Sequence, residues 1–298
     1  MKHTAYIGTG VALITPFREG KVDYPAIEKI IDYVIDGGVE YLVMLGSTGE
    51  RATLNATEAR DILHCTIAKV NGRVPVVTGN FAGNNTIELV KSIDQFDFTG
   101  IDAILSSCPA YVKPSQEGIY RHYRAIESAS PVPIIIYNVP GRTGSNIDWQ
   151  TTIRLAQSSE KFIGSKEATG DLIQTTRLIK HKPEDFFVAS GDDEVVIPMI
   201  SVGGHGGISV IANALPSTFS KLIRLALEDD YKASRELNSI IYDLHKWLYI
   251  EGNPVGIKSA MQVLGYCTNE VRLPLHEMST PNYLELEKAL RQIERLVG

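Results

Sequence analysis

Short apolar runs alternate with longer amphipathic stretches along most of the chain. Residues 10–14 are continuously apolar until Thr15-Pro16, as expected of a strand buried on both faces. Asp23 then offers a helix N-cap. Ile27, Ile30, Ile31 and Val34 recur at i, i+3, i+4 and i+7 on one helical face, which Gly37-Gly38 ends. Residues 41–45 form the next buried strand. Asn55 with Glu58 three positions on predicts a capping-box helix stopped at Asn71-Gly72, and Asn85 with Glu88 opens another. The remaining apolar runs are 74–78, 101–105, 133–137, 162–166, 186–189 and 207–210. Helical patterns follow at 115–128, 148–157, 170–180, 193–202 and 216–227.

Eight strand–helix units of roughly 25 to 30 residues predict an α/β fold of the (β/α)8 TIM-barrel type. An open doubly wound sheet is the alternative, but eight even units suit closure better. The glycines at Gly203-Gly204-His205-Gly206-Gly207 precede a strand, whereas a dinucleotide fingerprint follows one. Beyond residue 227 the strands stop, and 230–249, 255–264 and 282–297 read as amphipathic helices separated by Gly252-Asn253-Pro254 and Arg272-Leu273-Pro274. The expected division is residues 1–227 for a barrel with the active site and 228–298 for a C-terminal helical region packed on it or on a neighbouring subunit.

Composition narrows the class. In 298 residues, 44% hydrophobic and 21% charged content is ordinary for a globular chain with a full core. Lys and Arg number 29 against 35 Asp and Glu, a formal charge of −6 that gives no support to a nucleic-acid surface. Cys65, Cys108 and Cys267 are widely spaced and odd in number, fitting neither a disulfide framework nor a zinc CxxC pair. They suggest a reducing cytoplasmic compartment. Residues 1–17 lack the length of a signal sequence or membrane span and read as a first strand.

In a barrel of this kind the chemistry gathers at the C-terminal ends of the strands. One such end, Phe162-Ile163-Gly164-Ser165-Lys166-Glu167, places a lysine after an apolar run. Burial disfavours its charged form and frees the amine to attack carbonyl carbon. The plainer alternative is a lysine that reaches solvent or pairs with Glu167. The second strand ends in Gly46-Ser47-Thr48-Gly49-Glu50, where backbone N–H groups can cradle a carboxylate and the hydroxyls can pass protons. A glycine-rich turn alone would look the same. Tyr111, on the loop after the fourth strand, reads by itself as packing. The fifth strand ends in Tyr137, followed by Arg142 on a Pro/Gly-shaped loop, a proton carrier beside a carboxylate fork. Asp192 and Asp193 suit a helix N-terminus better than a metal, since no His/Asp/Glu set accompanies them.

Gly46-Ser47-Thr48-Gly49-Glu50, Tyr137-Asn138-Val139-Pro140-Gly141-Arg142-Thr143-Gly144 and Gly164-Ser165-Lys166-Glu167-Ala168-Thr169-Gly170 together resemble, in order and spacing, the dihydrodipicolinate synthase / N-acetylneuraminate lyase family. The likeness runs from Gly8 to about Pro274. It implies that Lys166 forms an imine with pyruvate, whose enamine attacks L-aspartate 4-semialdehyde in lysine and diaminopimelate biosynthesis. Tyr137 would relay protons, with Thr48 or Ser47 handing them to Tyr111. The family counterpart of Tyr111 reaches the neighbouring subunit's site, so an oligomer is implied, expected to be a homotetramer built as a dimer of dimers. The Ser47 and Thr48 amides would hold the pyruvate carboxylate and Arg142 that of the semialdehyde. Gly191 and Ile208 would line the pocket through main-chain atoms. The resemblance requires no metal and no organic cofactor, and no nucleic acid or membrane is expected as a partner.

Arg142 separates this expectation from its nearest rival, a pyruvate-dependent lyase such as N-acetylneuraminate lyase, whose loop lacks the arginine. A non-catalytic ligand-binding barrel is disfavoured by the joint presence of nucleophile, relay hydroxyls and carboxylate grip. Two departures from the family pattern stand out. Ser47 occupies a position usually threonine in the synthases and loses the methyl that restricts the rotamer. Ala110, Ala56 and Ala59 replace the aromatic residue and histidines of lysine-inhibited relatives, although Asn84 and Glu88 are retained. Lysine is therefore expected to inhibit weakly or not at all.

Overall fold

A computed structural model describes residues 2–297. Among them, eight parallel strands close into a barrel: β1 (Gly8–Ala12), β2 (Tyr41–Met44), β3 (Val76–Thr78), β4 (Ala103–Ser107), β5 (Ile134–Asn138), β6 (Phe162–Glu167), β7 (Phe187–Ser190) and β8 (Gly206–Ser209). Each strand pairs with its sequence neighbour. Closure comes from β1, which pairs with β2 through Gly10 and Tyr41 and with β8 through Gly8 and Gly206. The expected TIM barrel is therefore the observed fold. A two-stranded antiparallel ribbon, Phe17–Arg18 with Lys21–Val22, follows β1 and was not legible from alternation because each arm is only two residues long.

Helices α1 (Tyr24–Asp36), α2 (Ala56–Val70), α3 (Thr86–Asp94), α4 (Gln116–Ala129), α5 (Trp149–Ser158), α6 (Leu172–His181), α7 (Val196–Ser201) and α8 (Pro216–Leu227) surround the barrel. Their starts follow local chemistry. The Asp23 side chain accepts from the Ala26 amide, and Asn55 and Glu58 form the reciprocal capping box. On α1 the periodic residues Ile27, Ile30, Ile31 and Val34 are all buried. Each such side chain contributes about 1.5–3 kcal/mol relative to exposure. The helix expected over 193–202 is instead a 3-10 turn, Asp193–Val195, leading into α7.

The barrel interior is a core of its own. Ala12, Val43, Val77, Leu105, Ile135, Ile163, Phe187 and Ile208 are among its buried members. Tyr6 plugs the end away from the site, edge-on to Tyr41 and stacked on Phe187. Gly164 has no side chain because the Phe187 ring lies over it, and a Cβ there would sit 2.4 Å from that ring. The β5–β6 pairing carries one register shift, between Ile134 and Ile135, after which Tyr137 lies beside Lys166.

The C-terminal helices are α9 (Tyr231–Tyr249), α10 (Val255–Val263) and α11 (Thr280–Val297). Helix α9 packs on α8, α10 and α11, and buried Ile241, Leu244, Leu248, Ile257 and Met261 belong to the same core as α1 and β2. No helix among the described residues is long and apolar enough to cross a membrane.

Candidate active site

Alternation along β6 separates its last residues. Lys166 faces the barrel mouth and is 5% exposed, its Nζ 4.6 Å from the centre of the Tyr137 ring. Ser165 and Glu167 face the other way. Glu167 accepts from Ser165 Oγ at 2.5 Å and from Asn138 Nδ2 at 3.1 Å, and burial pushes its carboxyl up to about 7. Lys166 therefore neither reaches solvent nor pairs with Glu167, and no hydrogen-bond or ion-pair partner meets its amine among the described residues. Burial lowers the amine to about 8, opposed by buried Asp193 and assisted by the Arg142 charge. Gly191 makes this packing possible, because a Cβ there would lie 2.9 Å from Lys166 Cε and 2.8 Å from Ala168 Cβ.

The lysine closes the floor of a cavity of about 200 Å³ that Ser47, Thr48, Tyr137, Arg142, Gly191 and Asn253 also line. Burial raises the Tyr137 phenol, and the Arg142 charge and a hydrogen bond with Ser47 oppose that rise. The two hydroxyls of the β2 loop are thus distinguishable, since Ser47 engages Tyr137 whereas Thr48 Oγ1 accepts from Asn253 Nδ2 at 3.0 Å. The amides of Ser47 and Thr48 have no acceptor among the described residues and remain available to an anion. Arg142 sits on a single helical turn, Pro140–Thr143, rather than an open loop. That segment is tied down by Asn138, whose Oδ1 accepts from the Ile147 amide at 3.0 Å and whose Nδ2 donates to the Ile147 carbonyl at 3.1 Å.

Two of the expected site residues do not line this cavity within the chain. Ile208 is absent from the cavity lining. Its side chain belongs to the barrel interior, and Val210 lines the cavity from this side of the barrel. Tyr111 lies on the surface, 89% exposed, with a left-handed backbone (φ 69°) and its amide donating to the Thr143 carbonyl at 2.9 Å. Sequence reading assigned both aspartates after β7 to a cap. Asp192 does accept from the Glu194 amide, but Asp193 turns inward and accepts from the Val210 and Ile211 amides at 2.9 and 2.8 Å. Tyr249 and Asn253, from the C-terminal region, were not anticipated at the site. Nothing in amphipathic helix α9 or in an Asn-Pro break signals a cavity wall. Among the described residues no three His, Cys, Asp or Glu side chains are grouped so as to hold a metal ion.

The β2 loop has an unusual backbone. Leu45 and Glu50 both adopt left-handed conformations, with φ 57° and 51°, at a cost of about 1–3 kcal/mol each. Glu50 is held by a fully buried ion pair with Lys258 on α10 at 2.5 Å, while its second oxygen accepts from the Arg272 amide at 3.1 Å. Lys258 also donates to the Glu270 carbonyl and lies 4.0 Å from the centre of the Phe17 ring.

The fold and site define a barrel that holds a nucleophilic amine at its mouth beside a phenol and a guanidinium. The sequence profile of the Dihydrodipicolinate synthetase family matches residues 6–293, and the chain belongs to that family. It is 45% identical over 287 residues to the 4-hydroxy-tetrahydrodipicolinate synthase of Parabacteroides distasonis, covering 96% of each chain. Its structure is similar to that of dihydrodipicolinate synthase from Aquifex aeolicus, with a TM-score of 0.93 and 39% identity over 97% of this chain and 98% of that one. It is also similar to a monomeric dihydrodipicolinate synthase variant, with a TM-score of 0.95 and 34% identity over 98% of both.

Two outcomes follow from this geometry. An amine held at about 8 is half neutral near that pH and only about 1% neutral at about pH 6. Borohydride-trapped adduct formation with a small α-keto acid should therefore accelerate about tenfold per pH unit up to about 7.5, then level off. A rate still climbing steeply above about pH 9 would show an ordinary solvated lysine. Separately, Lys258→Met should cost about 3–5 kcal/mol of unfolding free energy, because it strands Glu50 in the core. Combining it with Glu50→Gln should recover part of the loss in chemical denaturation. No recovery would place the cost outside the ion pair.

Proposed function

We propose that the chain condenses pyruvate with L-aspartate 4-semialdehyde to give 4-hydroxy-tetrahydrodipicolinate, in lysine and diaminopimelate biosynthesis. The observation that carries this is the buried amine of Lys166, without a hydrogen-bond or ion-pair partner among the described residues, beside Tyr137 and with Arg142 at the same cavity. The neutral amine attacks the keto carbon of pyruvate, water leaves, and an imine forms. Loss of a methyl proton gives an enamine, because the iminium nitrogen accepts electrons better than a ketone oxygen. The enamine carbon then attacks the aldehyde carbon. The semialdehyde's amino group adds to the imine carbon, expels the Lys166 amine and closes the ring.

Tyr137 carries protons to and from the imine, with Ser47 as its hydroxyl partner. The free amides of Ser47 and Thr48 bind the pyruvate carboxylate, backed by the absence of a side chain at Gly191. Arg142 grips the carboxylate of the semialdehyde in a charge-assisted pair. That guanidinium favours the synthase reading over a sugar-acid lyase. Tyr111, exposed beside half-exposed Val112, serves the site of an adjacent copy in a homotetramer. A monomeric variant among the similar structures means that this assembly is not universal. Cytoplasmic residence suits Cys65, Cys108 and Cys267, all of them free thiols.

Incubation with pyruvate and borohydride should modify Lys166, identifiable by mass spectrometry, and failure to find that adduct would remove the proposal's foundation. Arg142→Ala should weaken use of the semialdehyde by about tenfold or more, while imine formation slows by a smaller factor as the charge that helps lower the Lys166 amine is lost. Equal losses in both would show that the arginine acts on pyruvate instead.

A larger cavity, about 730 Å³, lies between α2 and α3 and is lined by Ala56, Ala59, Asn84 and Glu88 among others. Ala56 and Ala59 offer methyl groups where a polar amino-acid ligand needs hydrogen-bonding partners. Lysine should accordingly inhibit condensation weakly or not at all. A titration showing strong inhibition at sub-millimolar lysine would refute this.

A further inference from the structure

The segment joining α9 to α10, Gly252-Asn253-Pro254, reads in the sequence as a break between helices. In the structure it forms part of the cavity wall. Asparagine in such a turn commonly spends its side chain on neighbouring backbone groups. Asn253 does not. Its side-chain Nδ2 donates to Thr48 Oγ1 at 3.0 Å, across 205 residues of chain, while its main-chain carbonyl accepts from Arg142 Nη2 at 3.4 Å. Its Oδ1 is buried and has no hydrogen-bond partner among the described residues. Leaving a buried acceptor unpaired costs free energy, so the bond to Thr48 is the side chain's one polar return.

A hydroxyl has one proton to give and two lone pairs to receive with. With an amide N–H already on Thr48 Oγ1, the remaining proton is directed away from Asn253. Thr48 then presents both its N–H and its O–H to an incoming carboxylate, while Ser47 stays with Tyr137. The Asn253 main-chain carbonyl meanwhile restrains the guanidinium that faces the second substrate. We infer that the Asn253 side chain is a positioning group, which orients the Thr48 hydroxyl as a donor to the pyruvate carboxylate from the C-terminal region. This rests on the pyruvate reading above.

The test is a double-mutant cycle in the full-length enzyme, with Asn253→Ala, Thr48→Val and the pair. Two quantities are read: the pyruvate concentration that half-saturates borohydride trapping of Lys166, and steady-state KM and kcat. Asn253→Ala should raise half-saturating pyruvate about tenfold with kcat within about threefold, and the same change in the Thr48→Val background should add less than about twofold. Asn253→Asp, nearly isosteric, covers the case in which the alanine variant does not fold. It should raise half-saturating pyruvate further, because a second carboxylate then faces the cradle, and the rise should be smaller in the Thr48→Val background by the share that Thr48 carries. Equal increases in both backgrounds would overturn the inference, as would a lower Tm and kcat with pyruvate saturation unchanged. Absence of any Lys166 adduct in the unsubstituted enzyme would instead sink the pyruvate reading itself, before the variants are compared.

Discussion

A lysine amine enclosed by protein, with no carboxylate in contact among the described residues, is the constraint that organises the mouth of this barrel. Desolvation pushes Lys166 toward its neutral form, the buried charge of Asp193 pulls it back, and Arg142 pushes again in the first direction. The balance leaves an amine that is partly neutral near physiological pH. Each neighbour reflects the same requirement. Glu167, the nearest acid in sequence, is turned to the outer face and occupied by Ser165 and Asn138. Gly191 gives up its side chain to the lysine's stem. Asp193 is held off by two backbone amides and acts as a field, not a partner.

The second organising contact is the buried pair between Glu50 and Lys258. It connects the left-handed end of the β2 loop, where Ser47 and Thr48 sit, to a helix more than two hundred residues later. Removing two charges from water is costly, and such a pair is better understood as specifying one arrangement than as adding net stability. The arrangement specified here places the hydroxyl loop under the C-terminal region. Arg272 extends the contact, donating its amide to Glu50 and its guanidinium to both oxygens of Glu58 on α2. Tyr249 and Asn253 then complete the cavity wall. The last seventy residues therefore shape the site as well as covering the barrel's flank.

The eight strand–helix units, their caps and their apolar faces were legible in the chain, because each depends on contacts a few residues apart. Asp23, Asn55 and Asn85 cap as their spacing indicates, and the strand boundaries differ from the apolar runs by at most two residues. Position at strand ends likewise sufficed to gather Lys166, Tyr137, Arg142, Ser47 and Thr48 as candidates, since a parallel barrel brings all such ends to one face. What pattern could not supply was the direction of each side chain after the strand stops. Asp192 and Asp193 are adjacent and chemically identical, yet one caps a turn and the other enters the core. Ser47 and Thr48 differ by a methyl group, yet one meets Tyr137 and the other Asn253.

The sequence alone therefore determined the architecture and singled out Lys166 as the candidate amine, because periodicity and residue type are local properties of the chain. The tertiary structure decided how Lys166 is kept free of Glu167, which hydroxyl serves which neighbour, and that Asn253 and Tyr249 belong to the site. Those outcomes depend on a register shift between Ile134 and Ile135, on two left-handed residues and on an ion pair spanning most of the chain. Each is a non-local balance of burial against hydrogen bonding that no short stretch of sequence contains.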